Sequence, residues 1–566
     1  MKKKILLILG VVLIAAALVM DIVLTVPTTK EKVLSFDSTY KGKEVTLKAS
    51  YFEVEGAEYG AVICPGYSCD RQKVRTLASL FVENGISVMS FDYAGQGESN
   101  KTIGFDNAKT DAISEEIADA VEAFKQVSGI DYQKTILIGH SMGGRSILRL
   151  LYDYNDPNAD TRIEKQDIGY AILMAPEVNY NFNAQASLFA GTSDADDPIW
   201  ASYSSKNTVG TDVYLFGSTG DDIVTGDDII DIYTHLGGDR IAVGDFTLHT
   251  KINDVGSKVT AQVVPGVLHS FQFFDTTFAK LVNDSVIDIT GKDSGYNPNK
   301  FILIYLSWIF VSVGAMLVLM ALNHGLKWQA PDEVPTINDT KKFLLTKLLM
   351  WLPGIVVAFL VCCFCVVMPF GSPVMNIPYM CFIAGYGIWM LFCYRKGKFR
   401  GTEGKLPKPT FRISVPFGKL LLPIAAIVGI VFVGWYTLRA SVYRLFPMNF
   451  RLLWLLIAGV LMAIGYYVSG VEQDMLEKAN ATGLQKLLYA LINYIPLFLF
   501  VGFYLVIGSF SGLVQQLINV VLMYAVFVPL GEYMKKKFEN RLYGALLSAF
   551  IFQGMMITSA ALIAMF

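Results

Sequence analysis

Residues 31–54 alternate apolar and polar positions, as in Thr46-Leu47-Lys48-Ala49-Ser50-Tyr51-Phe52, a pattern that predicts an opening antiparallel strand pair. Beyond it the periodicity switches back and forth. It predicts strands over 59–64, 86–92, 134–140, 168–175, 211–216 and 259–264, and helices over 72–84, 108–127 and 142–153. Strands that alternate with helices build a mostly parallel, doubly wound sheet with helices on both faces. From residue 300 the pattern changes in kind, to long apolar segments near 301–322, 343–367, 377–394, 419–437, 452–470, 487–508, 513–533 and 545–565. Segments of that length predict an all-α bundle of about eight membrane-crossing helices after the α/β domain.

Composition sharpens this division. The chain is 53% hydrophobic and 17% charged, too apolar for two ordinary water-soluble domains, and the excess is concentrated in the spans. A formal net charge of −2 accompanies the lack of any basic patch for nucleic acid. Lys2, Lys3 and Lys4 precede the apolar run from Ile5 to Met20, so residues 1–26 read as a membrane anchor or a signal peptide. The anchor is favoured, because Ile22-Val23-Leu24-Thr25-Val26 and Pro27 stand where a cleavable signal would turn polar.

Starting with those lysines inside, the loop holding Arg395 to Arg412 and the loop holding Lys535 to Arg541 both fall on the cytoplasmic side, as charge asymmetry requires. Arg439, Arg444 and Arg451 depart from this rule. The expectation is an integral protein of a bacterial-type plasma membrane, with the domain at 31–283 on the extracytoplasmic side. A polar tether at 284–300 joins it to the membrane domain at 301–566. Within the spans, Lys347 and Glu532 sit near the ends, and Asn493, Gln515, Gln516, Asn519 and Gln553 are uncharged. That disfavours a proton-coupled transporter and leaves a lipid-binding or scaffold role open.

The most informative motif is Gly139-His140-Ser141-Met142-Gly143, which follows the apolar run 135–138 and opens a helix. Strand, sharp turn and helix make a nucleophile elbow with Ser141 at its tip, and glycines flank the serine because side chains there would strike neighbouring backbone. An attacking serine needs a base, and the base an orienting carboxylate. Of the five histidines, His140 is turned away from the serine by strand alternation, His324 lies beside a span, and His235 and His249 fall in an irregular stretch. His269 closes the strand-loop run 259–268 and is the expected base. The loop after strand 211–216 offers Asp221 as the carboxylate, with Asp222 as the fallback.

Two N–H donors should stabilise the oxyanion: that of Met142, and that of Tyr67 in Pro65-Gly66-Tyr67-Ser68, where Gly66 lets the backbone approach. No metal-ligand cluster or cofactor motif accompanies them. Cys64 and Cys69 flank this loop, where they would either pair as a disulfide or stay as thiols.

These segments resemble the α/β-hydrolase superfamily, in particular serine hydrolases of the monoacylglycerol lipase, lysophospholipase and serine aminopeptidase type. The resemblance rests on GHSMGG at 139–144, PGYS at 65–68, FDYAGQGES at 91–99, and the segments GDDIV and GVLHSF around Asp221 and His269. It spans residues 45–283, departing from the family at Ala94, where an arginine is usual, and at Pro65, where a histidine is frequent. It implies an α/β-hydrolase fold with a lid at 177–210, whose Asp194, Asp196 and Asp197 read as a solvated loop or as ligands for a substrate amine.

The expected function is hydrolysis of an ester or amide through an acyl-enzyme on Ser141, carboxylesterase or lipase-like first. Its partners would be a small-molecule, lipid or peptide acyl substrate and membrane lipids. The alternatives are a serine aminopeptidase-like peptidase, or a non-catalytic sensory or binding module coupled to the membrane half.

Overall fold

A computed structural model describes residues 2–25, 29–40, 42–99, 103–104, 108–153, 167–177, 211–327, 334–366, 377–409, 411, 415–421, 450–493 and 526–558, with isolated positions between 423 and 521 and at 563–564. The chain divides into two compact units: one comprises Met20–Tyr305, the other Met1–Val19 with the described residues from Leu306 onward. Helix α1 (Lys2–Thr25) opens the chain.

The first unit is built on a nine-stranded sheet of β1 (Glu31–Tyr40), β2 (Lys43–Phe52), β3 (Gly60–Cys64), β4 (Ser87–Asp92), β5 (Thr135–His140), β6 (Tyr170–Met174), β7 (Asp212–Ser218), β8 (His249–Ile252) and β9 (Lys258–Val264). The order across the sheet is β1-β2-β4-β3-β5-β6-β7-β9-β8. The pairs from β4 through β3, β5, β6 and β7 to β9 are parallel, while β1, β2 and β8 pair antiparallel. This is an α/β-hydrolase fold with a mostly parallel sheet.

Burial explains why the strands read differently in sequence. Edge strand β1 has one face in water and alternates, whereas β3 and β5 are covered on both faces and read as the unbroken apolar runs Ala61-Val62-Ile63 and Ile136-Leu137-Ile138. Helix α2 (Arg75–Glu83) follows β3, α3 (Ala108–Ser128) follows β4 and α4 (Met142–Asp153) follows β5. Their apolar stripes are the buried ones: Ile117, Ala120, Val121 and Phe124 on α3, and Ile147, Leu148 and Leu151 on α4.

The stretch holding His235 and His249 is irregular only between them, over 236–248. His235 closes α5 (Gly226–His235), whose start is fixed by a capping box between Thr225 and Asp228, and His249 opens edge strand β8. Helix α6 (Thr276–Thr290) completes the unit, capped by Asp275 and ended by Gly291 at φ 66°. The segment read as a tether is held against this unit: Ser294 Oγ donates to Asn84 Oδ1 at 2.6 Å, and Lys300 Nζ meets Glu83 at 2.6 Å.

The second unit is helical: α7 (Ile302–Asn323), α8 (Thr340–Leu349), α9 (Trp351–Val366), α10 (Ile377–Lys396), α11 (Phe450–Lys478), α12 (Gly483–Asn493), α13 (Val528–Phe538) and α14 (Arg541–Thr558) among the described residues. Among the described residues, four helices are long and apolar enough to cross a membrane: Lys3–Leu24, Pro298–Asn323, Thr340–Cys365 and Arg451–Lys478. The span expected at 452–470 is longer than its apolar core, because Glu472 and Asp474 continue α11 fully buried. The spans expected at 419–437, 487–508 and 513–533 lie largely outside the described residues.

Lys347, expected near the end of a span, is instead buried and paired. Lys347 Nζ on α8 meets Glu472 Oε2 on α11 at 2.6 Å, and both side chains are 0% exposed. Tyr394 and Tyr489 donate hydroxyl hydrogen bonds to the same carboxylate at 2.7 and 3.0 Å, and the ammonium lies over the rings of Tyr386 and Tyr489. Near the end of α11, Asp474 pairs with Arg541 and with Lys535, and Lys535 also pairs with Glu532. Charges removed from water persist only when partnered this fully.

Candidate active site

Ser141 stands between β5 and α4 with φ at 54°, the left-handed region that costs a side-chain-bearing residue energy. The turn is over-determined from both sides. A Cβ on Gly139 would lie 2.6 Å from the backbone of Gly144, and one on Gly143 would lie 2.1 Å from the carbonyl oxygen of Cys64. The second clash shows that the elbow rests directly on the loop following β3. In the same place, a Cβ on Gly66 would meet Ser141 Cβ at 3.3 Å. The Tyr67 loop and Met142, the first residue of α4, are thus neighbours around Ser141. The leading N–H groups of a helix have no partner within the helix, which gives Met142 an N–H suited to a developing negative charge.

Parallel strands β7 and β9 carry the other two groups. Past β7, a Cβ on Gly220 would lie 2.6 Å from Gly266 in the loop past β9, so these loops also touch backbone to backbone. That contact brings Asp221 Oδ2 within 2.7 Å of His269 Nδ1, with both side chains buried. The other carboxylate oxygen accepts the N–H groups of Ile223 and Val224 at 2.8 Å each, and Gln272 Nε2 donates to Oδ2 at 2.7 Å. Asp221 is therefore clamped by three donors besides the imidazole. Asp221, and not the fallback Asp222, bonds to Nδ1.

His140 contributes more than alternation suggested. Its buried ring lies 4.6 Å from the His269 ring and 4.4 Å from that of Phe273, because the loop past β9 leans over the end of β5. Burial holds the His140 imidazole well below its ordinary pKa, and proximity to His269 and Lys73 acts in the same direction. It is thus a neutral packing surface for the neighbouring imidazole. No hydrogen bond joins Ser141 to His269 among the described contacts. Such bonds are frequently long until substrate binds.

Residues of the FDYAGQGES segment hold the loop after β3 in place. Gln96 Oε1 accepts the Cys69 N–H at 3.1 Å, and Asp92 Oδ1 accepts the Arg71 N–H at 2.7 Å. The Arg71 guanidinium, 2% exposed, pairs with Asp92 and with Glu98 at 2.8 Å, while its Nε donates to Ser50 at 3.0 Å. Gly97 must be glycine, since a Cβ there would fall 2.2 Å from the Asp92 carboxyl. The Ala94 N–H donates to Glu116 at 3.0 Å. In the sequence this segment stands out only by its resemblance; Gln96, Arg71 and Gln272 carry no signal of their own.

Cys64 and Cys69 form no disulfide. The lid at 177–210, with Asp194, Asp196 and Asp197, lies outside the described residues beyond Glu177. Among the described residues no group of three or more His, Cys, Asp or Glu side chains is arranged to hold a metal.

Residues 59–193 match the family model described as serine aminopeptidase, S33. No curated protein sequence matches the chain. Among solved structures, similar folds include a putative hydrolase from Agrobacterium vitis S4, at 16% identity over 46% of this chain and 98% of that one, with TM-score 0.31. The α/β hydrolase GrgF from Penicillium matches at 15% identity over 46% of this chain and 100% of its own, with TM-score 0.33. The Pyrococcus furiosus esterase Pf2001 matches at 14% identity over 46% of this chain and 90% of its own, with TM-score 0.31. Sheet order and the family match over residues 59–193 together give the first unit an α/β-hydrolase fold.

Proposed function

We propose that the protein is a membrane-anchored serine hydrolase that cleaves a carboxylic ester through an acyl-enzyme on Ser141, with the catalytic unit on the extracytoplasmic side. The observation that carries this reading is the buried Asp221–His269 hydrogen bond beside a strained serine elbow. In this reading His269 takes the Ser141 hydroxyl proton as the oxygen attacks the acyl carbonyl, and returns a proton to the leaving group. Asp221 holds the imidazole with Nδ1–H toward itself, leaving Nε2 as the base. The N–H groups of Met142 and Tyr67 receive the oxyanion.

The match to the serine aminopeptidase model favours amide cleavage as the second reading. Fluorophosphonate labelling tests the first. Wild-type protein should label covalently and Ser141→Ala should not; equal labelling of the two removes Ser141 from the nucleophile's role. Turnover of acyl esters against aminoacyl amides then separates esterase from peptidase.

A further inference from the structure

Lys73 and Cys69 make an unusual buried contact at the base of the loop that carries Tyr67. The Lys73 ammonium donates to Cys69 Sγ at 3.1 Å, and the two residues are only 8% and 5% exposed. A lysine taken out of water ordinarily faces a carboxylate, as Lys347 does in the second unit. Among the described residues no carboxylate pairs with Lys73 Nζ; the thiol stands in that place. The two positions are four residues apart in a turn closed by Lys73 N–H to the Asp70 carbonyl at 3.0 Å, so the nitrogen and sulfur are held together by local structure.

We propose that this pair is a site of oxidative modification, in which a hydroperoxide converts the contact into a covalent sulfur–nitrogen bond. The thiol reduces the peroxide: one oxygen is transferred to sulfur, giving the sulfenic acid, and the rest of the peroxide leaves as water or an alcohol. Lys73 then passes one ammonium proton to the sulfenic hydroxyl, and the nitrogen lone pair this frees attacks the sulfur and expels that group. It leaves as water, and a further ammonium proton passes to solvent, so the lysine and cysteine together lose two hydrogens. A thiol reductant returns both side chains to their starting state.

The bond would tie Cys69, whose N–H is already held by Gln96, to the next turn, and so clamp the loop that presents Tyr67. The modification itself is independent of Ser141; only its effect on catalysis rests on the proposed hydrolase activity.

The full-length protein in detergent, treated with hydrogen peroxide, provides the test by mass spectrometry of intact protein and tryptic peptides. The segment containing Cys69 and Lys73 should lose the mass of two hydrogens, resist trypsin after Lys73, and recover both properties with dithiothreitol. Lys73→Arg should stop at the sulfenic acid and be captured by dimedone at Cys69. Wild-type Cys69 captured by dimedone as fully as in Lys73→Arg would overturn the proposal. So would an unchanged mass under peroxide that oxidises the unfolded chain. Fluorophosphonate labelling of the same samples separates the readings: a cross-linked protein that labels at the unmodified rate retains the hydrolase assignment and discards the clamping effect.

Discussion

Asp221 Oδ2 lies 2.7 Å from Nδ1 of His269, a residue 48 positions further along the chain. Touching backbones at Gly220 and Gly266 place the two loops together, and Gln272 and two main-chain N–H groups fix the carboxylate so that one lone-pair direction remains for the imidazole. Replacing Asp221 by Asn keeps the shape and reverses the tautomer that His269 must hold. The expected outcome is a fall in kcat of roughly 10⁴-fold, measured on whichever acyl substrate the wild type turns over. Asp222→Asn should leave kcat near the wild-type value.

Gly143 offers a test of the elbow's contact with the loop after β3. Alanine there would put a Cβ 2.1 Å from the Cys64 carbonyl, and backbone on both sides leaves nothing flexible to yield. Gly143→Ala is expected to lose about 1–3 kcal/mol of stability, seen as a lower thermal midpoint, and to abolish fluorophosphonate labelling at temperatures where the protein is still folded.

Glu116 links stability to pH. Burial raises its carboxyl from 4.5 to about 8, although the Ala94 N–H bond pulls the other way. A carboxyl whose folded value is raised binds its proton more tightly in the folded state. Its contribution is complete below 4.5 and is lost as pH rises through about 8. Among the described residues its Oε1 has no hydrogen-bond partner, so no donor stabilises a negative charge on that oxygen. Urea unfolding of Glu116→Gln across that window should show a flatter pH dependence than the wild type, with the variant the more stable at the alkaline end.

Lys347 and Glu472 test the interior of the helical unit. Truncating Glu472 to Ala strands a buried ammonium and is expected to cost about 3–5 kcal/mol, whereas replacing both residues, Lys347→Met with Glu472→Leu, should recover most of that loss. Thermal unfolding of the three proteins in one detergent makes the comparison. Equal loss in the single and double variants would show that the tyrosines, rather than the ion pair, set the stability of this cluster.

Ser141 and its glycines were legible because an elbow is local: a few consecutive residues dictate the turn, and steric exclusion leaves a sequence signature. The central strands were legible for a related reason, since burial on both faces demands unbroken apolar runs such as Ile136-Leu137-Ile138. Glu472 was not legible, because a carboxylate at the end of an apolar run looks like the beginning of water. Its burial depends on a lysine that lies 125 residues earlier and on tyrosines from two other helices. His249 failed in the same way, its strand being specified by pairing with β9 rather than by its own short and exposed sequence.

By itself, then, the sequence determined the order of elements, the apolar helices, the serine elbow, and which aspartate and histidine were available to it. Periodicity and turn sterics act between near neighbours and are written in consecutive residues. Only tertiary structure decided that Asp221 bonds to His269, that Arg71 and Gln96 secure the loop beside Ser141, that Cys69 faces Lys73, and that Lys347 meets Glu472. Each of these is a contact between loops or helices that the sheet or bundle must first bring together. The energy of a buried polar group depends on who arrives beside it, and that is not encoded in its own surroundings along the chain.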